Sequence, residues 1–233
     1  MNAQFRQGIR HGIPIALGYL SVSFAFGMKA AGEGLTVLQA VLISMTNLTS
    51  AGQIAALPLM VGGASLTEMA LTQLTINLRY ALMSLSLSRK LDGSMGTLQR
   101  MIFSFANTDE IFAVASSQPG KVGKHYLYGL MLTPWIGWSL GTLLGSAAGT
   151  LLPAFVRTAL GIAIYGMFLA IILPPARQQK PVRFVVIIAV ALSLCFHYVP
   201  GLNTVSSGFA IIICGVLAAA AGAWKFPVKE DAA

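Results

Sequence analysis

Four charged residues stand inside or beside long apolar runs and are the first candidates for chemistry: Glu68, Arg79, Asp109 and Glu110. Charge at membrane depth is costly, so such residues default to functional candidates. In segment 65–87, Glu68, Thr72, Thr75 and Arg79 follow one another at spacings of four, three and four residues. At about 3.6 residues per turn they share one stripe of a helix. Gln73, Asn77, Tyr80 and Ser84 form a second stripe on another side. A helix polar on two faces is expected inside the bundle. Glu68 and Arg79 do not pair, because their separation along the axis is roughly 16 Å. Arg79 therefore needs another partner at mid-depth. Asp109 and Glu110 are the candidates by type, with Asp109 preferred. Adjacent acids leave a helix in different directions, so one can pair while the other titrates.

The second candidate is Ser50-Ala51-Gly52-Gln53, within a polar interruption running from Thr46 to Gln53. A broken helix frees backbone N–H and C=O groups for a ligand. The N-terminus of a half-helix favours a carboxylate through its dipole.

These residues need helices in a bilayer to hold them. The chain has 233 residues, 56% hydrophobic and 9% charged. Soluble domains carry roughly 25% charged residues. The expected fold is all-α, a polytopic helical membrane bundle forming one transporter domain over residues 1–233. Six full spans are predicted, at about 12–31, 65–87, 126–150, 154–174, 183–199 and 204–224. Segments 36–61 and 101–117 are interrupted by polar residues, and each is predicted either to re-enter or to span. If both span, the total is eight. Polar breaks at membrane depth are tolerated only inside protein or beside a water-filled cavity.

The formal net charge of +8 does not indicate nucleic acid, because the basic residues are scattered through loops and do not form one face. With short cytoplasmic tails at 1–11 and 225–233, nearly all loop Lys and Arg face inward, Arg89, Lys90, Arg100, Lys121 and Lys124 included. That arrangement requires segments 36–61 and 101–117 to enter and leave on one side. The positive-inside bias thus favours two re-entrant segments. The apolar start, preceded by Arg6 and Arg10, is read as a retained first helix.

Gly137, Gly141, Gly145 and Gly149 recur every fourth residue, and Gly129 and Thr133 extend the stripe backwards. Small residues at this spacing let a neighbouring helix approach closely, within the subunit or from another. Lys29 and Arg157 are expected to snorkel to the interface, and Glu33 to be solvated. His125 and His197 are isolated and lack metal-ligand spacing. Asn203, Thr204, Ser206 and Ser207 suit capping of the last helix. Cys195 and Cys214 are expected as buried spectators. No metal, no cofactor and no nucleotide site is expected, since no phosphate loop, H-E-x-x-H or G-x-S-x-G stands in the sequence.

Several motifs together resemble the AzlC family, the large subunits of bacterial branched-chain amino acid exporters. They are the run from Asn47 to Ala56, Asn77-Leu78-Arg79-Tyr80, Ser84-Leu85-Ser86-Leu87, and Thr108-Asp109-Glu110 with Phe112-Ala113. The likeness covers about residues 5–175 well and the last two helices more loosely. Asn107 replaces the family's usual Leu, and Tyr80 its frequent His. The resemblance implies a multi-pass permease of the bacterial inner membrane with both termini cytoplasmic. It would export branched-chain amino acids such as valine beside a small hydrophobic AzlD-type subunit. It implies no enzyme.

For a small zwitterion, Arg79 or the N–H groups at Gly52 and Gln53 would take the carboxylate, with Ser50 and Asn77 nearby. Asp109 or Glu110 would take the ammonium. Asp109, Glu110 and Glu68 are the carboxyls suited to proton coupling. Two rival classes are a non-transporting scaffold, which has no need of interior polar stripes, and an intramembrane enzyme, for which no catalytic motif is present.

Overall fold

The computed structural model describes residues 2–149 and 151–227; side chains at 154, 157, 161, 163, 164, 167 and 171 lie outside the described set. The reading of Arg157 as an interfacial side chain therefore falls outside it, as does the tail beyond residue 227.

The helices follow in order: α1 (Ala3–Gly32), α2 (Val37–Thr46), α3 (Ser50–Val61), α4 (Leu66–Ser88), α5 (Thr97–Ser104), α6 (Asp109–Ser117), α7 (Lys124–Ala148), α8 (Ala154–Gln178), α9 (Lys180–Tyr198) and α10 (Ser207–Lys225). No strand occurs among the described residues, and the fold is all-α. α1, α9 and α10 are long and apolar enough to cross a membrane by length and composition. α4 and α7 are also of spanning length, at 23 and 25 residues. They carry the polar side chains described below.

Local chemistry sets the helix ends. Asn2 accepts from the Gln4 N–H at 3.0 Å and starts α1 at Ala3. Residues 3–11, expected as a tail, are therefore helical. Thr36 and Gln39 cap α2 reciprocally. The break after α2 is confined to Asn47, Leu48 and Thr49, narrower than the expected Thr46–Gln53. Asn47 is extended, at φ −142° and ψ 93°, and Thr49 Oγ1 accepts from the Gly52 N–H at 3.4 Å. Side chains of these types compete with the helix for backbone groups. The second break, Phe105–Thr108, ends in the same way, with Thr108 capping α6 through the Ile111 N–H. Both interrupted segments are thus pairs of short helices.

Packing divides the chain into two compact units, Met1–Ile54 with Asn77–Ile164, and Ala55–Ile76 with Tyr165–Ala233. In the first, α1 and α7 run parallel in close contact. A Cβ built on Gly129 would lie 2.2 Å from Phe5 O, on Gly137 2.5 Å from Ala16 O, on Gly141 2.4 Å from Leu20 O, and on Gly145 1.9 Å from Phe24 O. The stripe is therefore a packing seam within the chain. Gly8, Gly12 and Gly27 of α1 meet the α7 backbone in return. Gly149, the last of the series, lies beside Met28.

At one end of this unit two loops are stitched together. Asp92 N–H donates to Val122 O at 3.0 Å, Val122 N–H to Lys90 O at 2.9 Å, and Lys124 N–H to Ser94 Oγ at 3.2 Å. The Lys90 ammonium also reaches Ser116 O. Asp92 accepts from the Ser94 side chain and N–H, and these bonds hold its carboxyl below the usual carboxylate range. The α5–α6 segment therefore departs from this corner and returns to it.

In the second unit α9 and α10 form a hairpin through a turn at Gly201, whose φ of +90° suits glycine. α9 buries none of its described residues. α4 differs from expectation too. Leu71, Leu74, Leu78, Leu82 and Leu85 form a third, exposed face, so the helix is only partly enclosed. At 100° per residue these leucines fall on an arc free of both polar stripes.

Candidate functional site

Both helix breaks lie beside the middle of α1 and α7, and the polar residues of the first unit gather there. Tyr19 and Trp138 mark that level on α1 and α7, ring to ring at 5.2 Å and edge-on. The Tyr19 hydroxyl lies 2.5 Å from Glu110 Oε2 and 2.7 Å from Thr108 Oγ1. It has one proton to give. The carboxylate is the stronger acceptor, which leaves Thr108 to turn its own hydroxyl toward the phenol oxygen.

On the other side of the α5–α6 break, Arg79 Nη1 meets Asp109 Oδ2 at 2.5 Å. The ion pair expected of these two residues is present. Glu110, one residue on, points to Tyr19 instead, as neighbours on a helix must. Arg79 Nη2 donates to the Tyr80 hydroxyl at 3.3 Å, and the guanidinium carbon stands 4.9 Å from the Tyr80 ring centroid. Tyr80 OH reaches Thr49 Oγ1 at 3.5 Å, and Thr49 Oγ1 donates to Asn77 Oδ1 at 2.9 Å. The chain Asp109–Arg79–Tyr80–Thr49–Asn77 thus links one break to the other. The Arg79 and Asp109 side chains keep 48% and 46% of their exposure, so this chain leaves the pair half open.

Behind this layer a second network is sealed. Gln53 is fully buried; its Nε2 donates to Ser44 Oγ at 3.0 Å, and its Oε1 accepts from Trp138 Nε1 at 2.9 Å. Ser44 Oγ lies 2.7 Å from Thr142 Oγ1. Gln53 therefore ties α3 to α2 and α7. The N–H groups of Gly52 and Gln53, expected to be open to a carboxylate, go to Thr49 Oγ1 and Thr49 O. Ser50 opens α3 within the helix and not within a free loop. Arg79 is left as the accessible anion-binding group of the cluster.

Glu68 belongs to the second unit. It is 5% exposed, and its Oε1 accepts from Ser206 Oγ at 2.5 Å and from the Gly208 N–H at 3.1 Å. It closes the start of α10, where an acid suits the helix dipole. Ser206 thus supplies the capping role expected of that stretch, through Glu68. Replacing Glu68 with Ala should lower the melting midpoint of the purified protein by the equivalent of about 2 kcal/mol, with Gln retaining most of the stability. Differential scanning fluorimetry in detergent reads both.

The partners of this cluster that sequence reasoning missed are Tyr19, Trp138, Thr49 and Ser44. Tyr19 and Trp138 carried a usable signal, since an apolar span with a mid-helix Tyr or Trp must find a partner for its O–H or N–H. Lys29 and Glu33, read separately, form an exposed pair at 3.0 Å. His197 packs edge-on against Tyr198. Cys214 is buried and Cys195 is exposed, so only the first behaves as expected. No group of metal-ligand side chains occurs among the described residues.

A profile of the AzlC protein family matches residues 14–152, which hold both breaks, Arg79 and Asp109. The chain belongs to the AzlC family. Its AzlC relatives include the inner membrane protein YgaZ of Escherichia coli strain K12, 27% identical over 228 residues, covering 94% of this chain and 90% of the relative. An uncharacterized membrane protein of Archaeoglobus fulgidus is 32% identical over 219 residues, covering 93% of each. A third, an uncharacterized membrane protein of Helicobacter pylori strain 26695, is 30% identical over 171 residues, covering 69% of this chain and 74% of the relative. No solved structure matches. AzlC membership and these membrane relatives support a membrane protein with a transporter-type role.

Proposed function

We propose that this chain exports branched-chain amino acids, valine above all, from the cytoplasm across a bacterial inner membrane, together with a small hydrophobic AzlD-type subunit. The observation that carries the reading is the half-open Arg79–Asp109 pair beside Glu110 at the middle of the molecule. A zwitterion offers one carboxylate and one ammonium. Arg79 binds the carboxylate through its planar fork. Asp109, released from Arg79, binds the ammonium. Exchange of one ion pair for two keeps every charge matched, which is what a low-dielectric route demands.

With no phosphate-loop motif in the sequence, the drive comes from a gradient. Asp109 and Glu110 are the proton-coupling groups: binding of the amino acid displaces Asp109 from Arg79, and Tyr19 holds Glu110 ready to exchange its proton. Glu68 can join them only by leaving the start of α10.

Two features support the remaining parts of the reading. The stitched loops carry Arg89, Lys90, Lys121 and Lys124, and a hydrogen-bonded corner lies on one side of a bilayer. This favours a re-entrant α5–α6 with that corner in the cytoplasm, and the start of α1 joins it through Gln4 beside Gly123. The half-exposed ion pair supports the small subunit. A charge pair facing hydrocarbon is costly, and a second chain laid over it removes that cost.

The test is efflux from cells preloaded with dipeptides of a panel of amino acids, with and without the small subunit. Export of valine, leucine and isoleucine that requires both chains is the expected result. Equal efflux with and without this chain, for every amino acid tried, contradicts the proposal.

A further inference from the structure

One cavity of the first unit lies outside the cluster already described. It is a crevice of about 260 Å³ between the C-terminal half of α4 and one face of α5. Thr97, Arg100 and Ser104 recur along α5 at spacings of three and four, which places them on the face that lines it. Drug-sized sites run from about 300 Å³ upward, so this volume suits a metabolite of few heavy atoms.

Its lining is divided by chemistry. Leu87, Leu91 and Phe103 are buried apolar residues. At the foot stands Asn107, 3% exposed, whose Nδ2 donates to Ser84 Oγ at 2.9 Å. Its Oδ1 is buried and has no hydrogen-bond partner. An orphaned buried carbonyl costs about 1–3 kcal/mol, a cost that a bound donor removes. Toward the stitched loops is Arg100, exposed, with only its Nε committed, at 3.3 Å to Met95 O. The crevice therefore offers an acceptor at one place, a guanidinium fork at another and an apolar wall between.

We propose that this crevice is a second binding station for a small zwitterion with an apolar side chain, which meets it between the loop end and the Arg79–Asp109 pair. The inference rests on the export reading for the identity of the ligand. The ammonium donates to Asn107 Oδ1, the carboxylate accepts from Arg100, and the side chain lies on Leu87, Leu91 and Phe103. Asn107 is two residues from Asp109 on the same break, so a ligand leaving this station meets the ion pair next.

The experiment reads occupancy without transport. In a Cys195→Ser/Cys214→Ala background, Ser104→Cys places one thiol at the rim, and its reaction with N-ethylmaleimide is timed in the purified full-length protein. L-Valine at about four times its Kd should slow labelling about fivefold. Isovalerate, which lacks the ammonium, and isobutylamine, which lacks the carboxylate, should each need about tenfold more for the same effect, for a contact worth about 1.4 kcal/mol. Arg100→Gln should weaken protection to the same degree, and since Arg100 is exposed this variant does not depend on repacking. Asn107→Leu should do likewise. Arg79→Ala should lose efflux yet keep protection.

Labelling unaffected by valine in a protein that exports valine overturns the station and leaves the export reading standing. Protection by valine in a protein that exports no amino acid supports the station and overturns the export reading. Equal protection by isobutylamine and valine overturns the role given to Arg100.

Discussion

Arg79→Ala is expected to reduce valine efflux by about 100-fold while the chain still inserts and accumulates. The magnitude follows from the acid left behind. An unpaired Asp at the centre of a membrane helix costs about 2.5–3.5 kcal/mol on insertion scales, and 1.4 kcal/mol is tenfold in an equilibrium. Asp109 sits 2.5 Å from Arg79, and both are half exposed, so the loss falls on ligand binding more than on folding. Asp109→Asn should lose export to a similar degree, because an amide cannot take an ammonium with charge. Arg79→Lys should recover part of it. The ammonium keeps the charge but loses the fork that matches a carboxylate. Tyr80 also holds the guanidinium over its ring, a contact that a lysine reproduces less well. Dipeptide-loaded cells, with membrane accumulation measured on the same samples, give all three values.

The second large effect is structural. Gly145→Leu should prevent stable packing of α1 on α7, costing ~3 kcal/mol or more. A Cβ at this position would stand 1.9 Å from Phe24 O, a distance that no side-chain rotamer relieves because the obstacle is backbone. The helices must separate, and separation at Gly145 also strains Gly141 and Gly137 along the same seam. Thr142, next to this seam, holds Ser44, and Trp138 holds Tyr19 and Gln53. Loss of the seam thus loosens the candidate site as well. Gly18→Ala is the control on the same helix, since a Cβ there meets nothing within 4 Å. It should be neutral or slightly stabilising, because Ala is the better helix former. Accumulation and melting in detergent separate the two variants.

Much of this architecture is legible in the residues themselves. Apolar runs locate the helices, and the polar interruptions at 47–49 and 105–108 fall within the two segments expected to break. The Arg79–Asp109 pair follows from type and depth alone, because an arginine at that level must find an acid. What was not legible depends on neighbours. Nothing in Gln53 itself says that Ser44 and Trp138 use both ends of its amide. Glu68 looks like Asp109 in sequence, yet Ser206 and Gly208, far along the chain, engage it at the start of α10. The first turns of α1 are polar and read as a tail, but an Asn2 cap and glycine contacts with α7 make them helix. The exposed leucine face of α4 was hidden by attention to its two polar stripes.

Efflux by the charge-reversed double variant Arg79→Asp/Asp109→Arg tests the central claim most directly. The reversed pair preserves an ion bridge between α4 and the start of α6 but turns the zwitterion's two contacts around. Our account expects a protein that accumulates and melts like the wild type while exporting no valine above background. Wild-type valine efflux by that variant would show that the pair only fastens helices together.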